Sequence, residues 1–294
     1  MHVRPFRPDD AAALAALSAG CAKGESDFVL NPLWETEDEL FAEFRRNAIA
    51  PEDHLLVAEG ESNGVAGLAG FLRRPGSLAA GLYAPIVARA QRGQGLGGEL
   101  LRAALAHGEE LGIKLVTAGI GVRNHAGYAL LAGMGFRPVR QHFLMRLGRK
   151  PKLAAPPLPR LEFSVASPDS AEGVLALYEE CGFEARTLDG MLAVLGDPHH
   201  ATVVASQSGH LVAFVELETH WVRRIWVAYV GVHNHLRDRG VGSALLDFAL
   251  EREFERGATS ALLLISPANR TALRAYEKSG FRRHRLVDVL ERGF

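Results

Sequence analysis

Arg237-Asp238-Arg239-Gly240-Val241-Gly242 is one of two copies of a glycine-rich segment, and the other is Arg92-Gly93-Gln94-Gly95-Leu96-Gly97, 145 positions earlier. Each copy lies between an apolar, strand-like run and a helix-like run. A repeat that stays in register over this length indicates a duplicated domain. The same offset of 145 pairs four further identities: Val87 with Val232, Asn124 with Asn269, Gly135 with Gly280 and Phe136 with Phe281.

Both glycine-rich segments have the features of a phosphate-binding loop. Glycines allow successive backbone N–H groups to turn inward without a Cβ in the way. The helix that begins at the loop adds N-terminal donors and partial positive charge, and the arginines add further charge. An ordinary tight turn would explain one copy, but two copies in matching contexts favour phosphate binding.

A dinucleotide or nucleoside triphosphate site is disfavoured. The first copy also fits Gly-x-Gly-x-x-Gly, the dinucleotide fingerprint, from Gly93 to Gly98. The equivalent stretch from Arg239 to Ala244 lacks the pattern, and the strand after the first loop ends without an acid for a ribose hydroxyl. The lysine of a Walker-type loop is also absent from both copies.

The chain is long enough for two domains. It has 294 residues, 48% of them apolar, which is sufficient for two hydrophobic cores. Segment 149–160 is rich in proline, which fixes φ and removes a hydrogen-bond donor, so we predict an extended linker there. The predicted domains are therefore residues 1–148 and 161–294.

Composition excludes several classes of protein. The 33 basic and 34 acidic residues balance, so nothing global attracts the chain to nucleic acid or to an anionic membrane. No apolar run approaches the roughly 18 residues of a membrane span, and the first ten residues lack the apolar core of a signal peptide. Cys21 and Cys181 correspond in the two halves, which suits a small buried residue better than a disulfide. We expect a soluble, cytoplasmic protein.

The order of predicted elements is the same in both halves and predicts a mixed α/β sheet flanked by helices. Each half begins with a helix after a Pro-Asp pair, continues with strands, the glycine-rich segment and a helix, and ends with strand, helix and strands. The offset is 160 between Cys21 and Cys181 but 145 later, so the first half carries a net 15 extra residues. Part of this excess is expected around residues 27–47, where substrate-facing loops would differ.

Two motifs in each half resemble the GCN5-related N-acetyltransferases, the GNAT superfamily. Val232 to Leu246 resembles that family's acetyl-CoA loop, and Ala268 to Phe281, with its ending Tyr-Glu-Lys-Ser-Gly-Phe, resembles its second motif. The first half matches at residues 87–97 and 124–136. The motifs are specific for the superfamily but say almost nothing about the acceptor. The resemblance implies two tandem acetyltransferase-like (GNAT) domains.

The resemblance also implies acetyl-CoA as co-substrate and a role for each matched position. Backbone N–H groups of the loops would hold the pyrophosphate of CoA, and the strands ending at Val87 and Val232 would pair with the pantetheine arm. Amides beside Val232 would polarise the thioester carbonyl. Asn124 and Asn269 would begin the helix beside the pantetheine. The loop residues are Arg92, Gly93, Gln94, Gly95, Leu96, Gly97 and Gly98 in the first half, and Arg237, Asp238, Arg239, Gly240, Val241, Gly242 and Ser243 in the second.

Tyr276 is the candidate general acid. A phenol at this place would protonate the departing thiolate of CoA; the alternative is an aromatic side chain that packs on the sheet. The aligned residue in the first half is Leu131, which has no proton to give, and Tyr128 lies one helical turn earlier. The first domain therefore either binds CoA without turnover or serves as a scaffold for the second domain's acceptor pocket.

The general base is assigned less directly. Family members often place a glutamate on the strand before the glycine loop, but that strand, 224–232, has no carboxylate. Glu216 and Glu218 on the preceding strand share one face by the two-residue period, so either is a candidate that would act through water. A solvated rim carboxylate is the alternative for at least one of them, and an amine that arrives neutral needs no strong base.

No metal site is predicted. The pairs His233 with His235 and His199 with His200 invite a metal interpretation, but no cysteine or carboxylate cluster accompanies the first pair in the sequence.

These observations predict an acetyl-CoA-dependent N-acetyltransferase that acts on a primary amine of a small molecule or protein by direct attack in a ternary complex. One alternative is a protein that binds or senses acyl-CoA without transfer, because of Leu131 and the missing strand carboxylate. Another is a thiol-containing small-molecule acceptor, as in two-domain family members that acetylate a cysteine-containing small molecule. We expect either a monomer or a homodimer.

Overall fold

The computed structural model describes residues 2–60, 64–152 and 157–294. Residues 153–156, inside the predicted linker 149–160, lie outside the described residues. Within the described ranges the chain forms twelve β-strands and eight α-helices. The predicted mixed α/β class is confirmed. None of the described helices is long and apolar enough to cross a membrane.

The elements alternate along the chain as follows. The strands are β1 (His2–Pro5), β2 (Leu55–Glu59), β3 (Val65–Leu72), β4 (Ala79–Val87), β5 (Leu115–Gly121), β6 (Arg137–Leu147), β7 (Leu161–Val165), β8 (His200–Gln207), β9 (His210–Trp221), β10 (Arg224–Val232), β11 (Ser260–Ile265) and β12 (Arg282–Gly293). The helices are α1 (Ala11–Cys21), α2 (Glu37–Arg46), α3 (Leu96–Glu110), α4 (His125–Gly133), α5 (Ala171–Glu180), α6 (Leu188–Gly196), α7 (Val241–Glu255) and α8 (Arg270–Lys278).

The chain divides into two compact units. The first comprises Met1–His142 and Arg285–Phe294, and the second comprises Phe143–His284. The sheet of the first unit has the order β1-β2-β3-β4-β5-β12, and that of the second has the order β11-β10-β9-β8-β7. Residues 143–147 of β6 pair with β11 in the second unit, and β12 pairs with β5 in the first. Each sheet is therefore completed by a strand whose chain neighbours belong to the other half.

The helix after each glycine-rich segment packs an apolar face on its own sheet. In α3 the leucines at 100, 101 and 105 are buried, and in α7 those at 245, 246 and 250 are buried. Their successive intervals of one and four residues are typical of one helical face. This packing holds the first turn of each helix, and with it the glycine-rich segment, at the end of the preceding strand.

In both units two neighbouring parallel strands pair briefly and then diverge. Strand β4 pairs with β5 only from Ala79 to Gly81, and β10 pairs with β11 only from Arg224 to Trp226. The remaining residues of β10 keep their antiparallel pairing with β9 as far as Val232. One edge of the second half of β10 is therefore left without a ladder partner, and the glycine-rich segment follows directly.

In the first unit a segment between α1 and α2 occupies the edge of β5 where β4 diverges. Val29 forms an antiparallel bridge with Ile120. The Leu30 N–H donates to the Gly119 carbonyl at 2.9 Å, and the Gly121 N–H donates to the carbonyl of Phe28 at 3.1 Å. This segment lies within the extra residues that the sequence places around 27–47. This segment of the first unit thus fills part of the gap between β4 and β5.

The second unit contains a buried carboxylate in its sheet. Glu216 on β9 is fully buried, and Arg186 binds it with both guanidinium nitrogens at 2.9 and 3.0 Å. The hydroxyl of Tyr178 donates to the same carboxylate, and His200 Nε2 lies 3.2 Å from it. Burial acts to raise the pKa of Glu216, but the hydrogen bonds from His200, Arg186 and Tyr178 outweigh it and lower the pKa to about 2.

The lowered pKa of Glu216 predicts how the stability of the second unit depends on pH. A carboxylate whose pKa falls from 4.5 to about 2 on folding stabilises the folded state above pH 4.5, and this contribution is lost as the pH falls toward 2. The loss amounts to about 3 kcal/mol in the free energy of unfolding. Denaturant unfolding measures the free energy of unfolding of wild type and of Glu216→Gln. The difference between these two free energies should be about 3 kcal/mol smaller at pH 2 than at pH 5.

Glu218→Gln provides the control, because Glu218 is on the same face of β9 and its side chain is 20% exposed rather than 1%. A difference between wild type and Glu216→Gln that stays constant from pH 5 to pH 2 would contradict the buried ion pair.

Candidate functional site

The two glycine-rich segments adopt the same backbone conformation. Gly95 and Gly240 precede the first residue of α3 and α7 with φ of 86° and 81°, in the left-handed region that favours glycine. Two residues earlier, Gly93 and Asp238 also have positive φ, 78° and 61°. Asp is among the few other residues that tolerate this region. The duplicated sequence therefore encodes one loop geometry twice.

The first arginine of each loop ties the loop to the end of the preceding strand. Arg237 Nε donates to the Val232 carbonyl at 3.1 Å, and Arg92 Nε donates to the Val87 carbonyl at 3.0 Å. The Sγ of Cys181 lies 3.6 Å from an Arg237 nitrogen. The sequence predicted only a contribution of charge from these arginines, and their positioning role comes from the structure.

Both predicted asparagines cap the helix that they precede. Asn269 Oδ1 accepts from the Ala272 N–H at 3.1 Å, and Asn124 Oδ1 accepts from the Gly127 N–H at 2.9 Å. This is the usual N-cap bond. Asn124 also donates from Nδ2 to the carbonyl of Phe28 at 3.3 Å, so in the first unit it is bound to the segment beside β5.

In the second unit the loop, β10 and α8 line a cavity of about 520 Å³. This volume lies within the usual range for small-molecule sites. The cavity brings together most of the predicted cofactor-binding residues with Tyr276, but Arg239, Glu216 and Glu218 are not in its wall. The wall includes the predicted residues Val232, Arg237, Asp238, Gly240, Val241, Gly242, Ser243, Asn269 and Tyr276, and also Cys181, Phe183, Val230, Arg274 and Lys278.

Backbone groups of β10 face this cavity. The N–H of His233 donates to the Val212 carbonyl on β9 at 2.8 Å. Successive residues of a strand direct their N–H and C=O groups to opposite sides. The backbone N–H and C=O groups of Val232 therefore point away from β9. The ladder is regular from Val230 to Val232, so the N–H of Val230 points away from β9 as well. These two residues border the cavity.

The wall of the second cavity carries an excess of positive charge. Arg237, Arg274 and Lys278 line it, against a single carboxylate, Asp238. Arg274 and Lys278 are one turn apart on α8 and both are exposed. We did not predict these two cations from the sequence. The signal that points to them is that they lie four residues apart on the helix that begins after the capping Asn269.

Tyr276 borders the cavity of the second unit. It is half-buried and packs edge-on against Phe281 with ring centroids 5.8 Å apart. Burial raises the pKa of Tyr276 to about 12. The phenol therefore keeps its proton throughout the neutral pH range, which a general acid requires.

The two predicted carboxylates have different surroundings. Glu216 is buried and ion-paired with Arg186, and its low pKa argues against a role as base. Glu218 is more exposed, and its carboxylate lies 4.0 Å from His200 Nε2. Of the two candidates, Glu218 is the better suited to exchange a proton with a bound molecule or water.

The first unit has a smaller cavity at the equivalent place, about 270 Å³. A carboxylate stands in its wall, because Asp27 lies there and binds Arg92 with an N–O distance of 3.0 Å. The same Arg92 nitrogen also donates to the Cys21 carbonyl at 2.8 Å. The wall includes the predicted residues Val87, Arg92, Gly93, Gly95, Leu96, Gly97 and Asn124, but not Gln94 or Gly98.

Three further differences separate the two cavities. At the place of Val230, the first unit has Pro85, which has no backbone N–H. At the places of the cations Arg274 and Lys278, it has alanine and glycine. Leu131, the counterpart of Tyr276, is 1% exposed within the core and is not in the cavity wall.

The histidine pairs have local partners. His233 Nε2 lies 3.5 Å from Glu180, and His200 Nδ1 lies 3.3 Å from Asp197. No group of three or more histidine, cysteine or acidic side chains suited to a metal ion occurs among residues 2–60, 64–152 and 157–294.

Comparison with known proteins gives matches along nearly the whole chain. A sequence profile of the acetyltransferase (GNAT) family matches twice, at residues 24–136 and 171–281. A mycothiol acetyltransferase of Thermobispora bispora is 31% identical over 310 aligned positions, which cover 97% of this chain and 96% of the relative.

Solved structures share the fold at lower identity. A GCN5-related N-acetyltransferase from Sphaerobacter thermophilus superposes with a TM-score of 0.79 at 21% identity, over 99% of this chain and 95% of that one. A tandem GNAT protein from the clavulanic acid biosynthesis pathway superposes with a TM-score of 0.75 at 15% identity, over 99% and 98% of the two chains. This chain therefore belongs to the acetyltransferase (GNAT) family, and it is an acyltransferase with two tandem GNAT repeats.

Proposed function

We propose that the second unit transfers the acetyl group of acetyl-CoA to a primary amine by direct attack while both substrates are bound. The observation that supports this most directly is the combination of Tyr276, the glycine-rich loop and the outward-facing β10 amides around one cavity. The family uses acetyl-CoA, which supplies an activated acetyl thioester.

The wall of the second cavity fits the anionic and amide-rich parts of CoA. The loop N–H groups from Arg237 to Ser243 and the positive end of α7 would hold the pyrophosphate. Arg274 and Lys278 would add attraction for phosphate. The outward-facing amides of Val230 and Val232 would pair with the pantetheine arm and donate to the thioester oxygen as negative charge develops there.

Two protons must move during the proposed reaction. The amine that attacks loses a proton, and the thiolate of CoA gains one as it departs. Tyr276 would donate the second of these. Glu218, acting through water, is our preferred acceptor of the first, since Arg186 already binds Glu216. An amine that binds in its neutral form would place little demand on this base.

A small amine is the acceptor class that we favour. The relative from Thermobispora bispora is named a mycothiol acetyltransferase and aligns over nearly its full length. This name supports an acceptor that is a small molecule with a thiol, which is one of the alternatives that the sequence leaves open. We therefore propose a small acceptor in which a thiol accompanies the reacting amine.

The first unit is proposed to take no part in the chemistry. Leu131 replaces the acid, Pro85 removes a backbone donor, and Asp27 places a negative charge beside the loop. The segment at Val29 also fills part of the gap between its strands. These differences support a scaffold rather than a second catalytic site.

Acceptor identity can be tested by acetyl-CoA consumption with three matched probes: cysteamine, ethanolamine and 2-mercaptoethanol. Cysteamine and ethanolamine carry an amine, whereas 2-mercaptoethanol offers only a thiol beside its hydroxyl. Consumption with the two amines, faster with cysteamine, is expected. Consumption with cysteamine and 2-mercaptoethanol but not with ethanolamine would favour a thiol as the reacting group, and CoA binding without any consumption would favour a sensor.

Tyr276→Phe should lower kcat by about 100-fold, because a positioned general acid contributes at least about this much. The affinity for CoA measured by calorimetry should stay unchanged, since the ring is kept. Tyr128→Phe is the matched control in the first unit and should retain wild-type kcat. A Tyr276→Phe variant with wild-type kcat from pH 6 to pH 10 would remove Tyr276 from its proposed role.

Gly240→Glu should abolish CoA binding in the second unit and with it all turnover, because the new carboxylate would meet the pyrophosphate. Gly240 has a positive φ of 81°, so Gly240→Ala separates backbone strain from charge. The alanine variant should retain measurable CoA affinity while the glutamate variant loses at least about 100-fold, a like-charge effect at a phosphate site.

Gly95→Glu is the corresponding change in the first loop, where an added Cβ meets open space. It should leave kcat and the KM for acetyl-CoA within about twofold of wild type, because the first unit is proposed to take no part in the chemistry. Loss of turnover in this variant would show that the first loop takes part in the reaction.

A further inference from the structure

The connection between α5 and α6 forms part of the second cavity. It begins with Cys181 and continues through residues 182–187, of which Phe183 lies in the cavity wall. The ring of Phe183 packs against three other aromatic rings, with centroid distances of 5.5 Å to Tyr178, 6.0 Å to Phe214 and 5.0 Å to Tyr229. The position of this connection therefore sets one wall of the space beside Tyr276.

Arg186 fastens the same connection to the sheet. Its guanidinium makes two parallel hydrogen bonds to Glu216 on β9, at 2.9 and 3.0 Å. It also stacks on two rings of the aromatic cluster, with its central carbon 4.9 Å from the Tyr178 centroid and 5.4 Å from that of Tyr229. A bidentate pair of this kind fixes orientation as well as distance.

Stability alone does not account for this arrangement. A buried ion pair costs so much desolvation that apolar residues of similar size often stabilise a fold equally well. The first unit has the same fold without it. By the offset of the first helices and by strand register, its counterparts of Tyr178, Arg186 and Glu216 are Ser18, Ser26 and Gly70.

The backbone of the first unit leaves no room for an acidic residue in place of Gly70. A Cβ there would lie 2.3 Å from the carbonyl oxygen of His54. The Arg186–Glu216 pair therefore occurs in the unit that carries Tyr276 and not in the first unit, where the buried carboxylate of Glu43 accepts from Tyr83 instead.

We propose that Arg186 is a positioning residue for the acceptor: through Glu216 it holds the connection 182–187, and thereby Phe183, as the fixed wall against which the acceptor binds. The proposal rests on the acetyl transfer proposed above for the same unit. It assigns no chemical step to Arg186. Its consequence is that loss of Arg186 affects the acceptor and spares acetyl-CoA, whose loop is fixed by Arg237 instead.

The experiment compares wild type with Arg186→Gln and Arg186→Lys, using cysteamine as the amine probe. In Arg186→Gln the KM for cysteamine should rise about tenfold while kcat and the KM for acetyl-CoA stay within about twofold, since only the acceptor wall is released. Arg186→Lys keeps the charge without the fork and should give an intermediate KM.

Hydrogen exchange measured on the same proteins gives a second readout that needs no turnover. Backbone amides of residues 182–187 should exchange about tenfold faster in Arg186→Gln, as expected for local opening, with residues 237–243 unchanged. Should Arg186→Gln fail to fold because Glu216 loses its bidentate partner, the double variant Arg186→Gln/Glu216→Gln removes both charges and is expected to show the same acceleration.

The outcomes separate this inference from the proposed function. Failure of wild type to acetylate any amine would count against the proposed function, while hydrogen exchange would still decide the role of Arg186. Unchanged exchange at 182–187 together with an unchanged cysteamine KM would overturn the inference. An equal rise in both KM values would also overturn it, because it would indicate general loosening of the unit.

Discussion

The divergence of two parallel strands is the constraint on which both units depend. Where β10 separates from β11, the backbone N–H and C=O groups of its last residues have no ladder partner on one side. Backbone polar groups strongly require hydrogen bonds, so the fold presents a row of donors and acceptors ready for an extended ligand. The helix that follows the glycine-rich loop adds a positive terminus at the end of this row. The location of the cavity thus follows from sheet geometry before any side chain is considered.

The two units answer this constraint differently. In the first, the segment around Val29 joins the exposed edge of β5, and Asp27 neutralises the arginine of the loop. In the second, the gap remains a cavity of about 520 Å³ with three cations in its wall. The two copies of the duplicated domain therefore share their loop geometry and differ in the side chains around it, as Leu131 in place of Tyr276 already indicates in the sequence.

Local and periodic features were readable from the sequence. The register of the repeat gave both loops, both capping asparagines and the contrast between Tyr276 and Leu131, because each depends on neighbours within a few positions. Interactions across long separations were not readable. Arg186 and Glu216 are 30 positions apart, and no pattern in the sequence around either residue predicts that they pair. The hydrogen bond from the first arginine of each loop to the strand carbonyl was not predicted for another reason. A charged side chain in a phosphate-binding loop suggests contact with the ligand before contact with the protein backbone.

The completion of each sheet by a distant strand has a consequence for biosynthesis. Strand β12 lies beside β5 in the first unit, although the whole second unit precedes it in the chain. The first unit therefore cannot close its sheet during translation until the second has been synthesised, and β5 must wait with one edge open. Over that interval the backbone N–H and C=O groups on this edge lack the partners that β12 later supplies. Closure of the first unit's sheet thus depends on the last strand of the chain, even though the sequence reads as two copies of one domain.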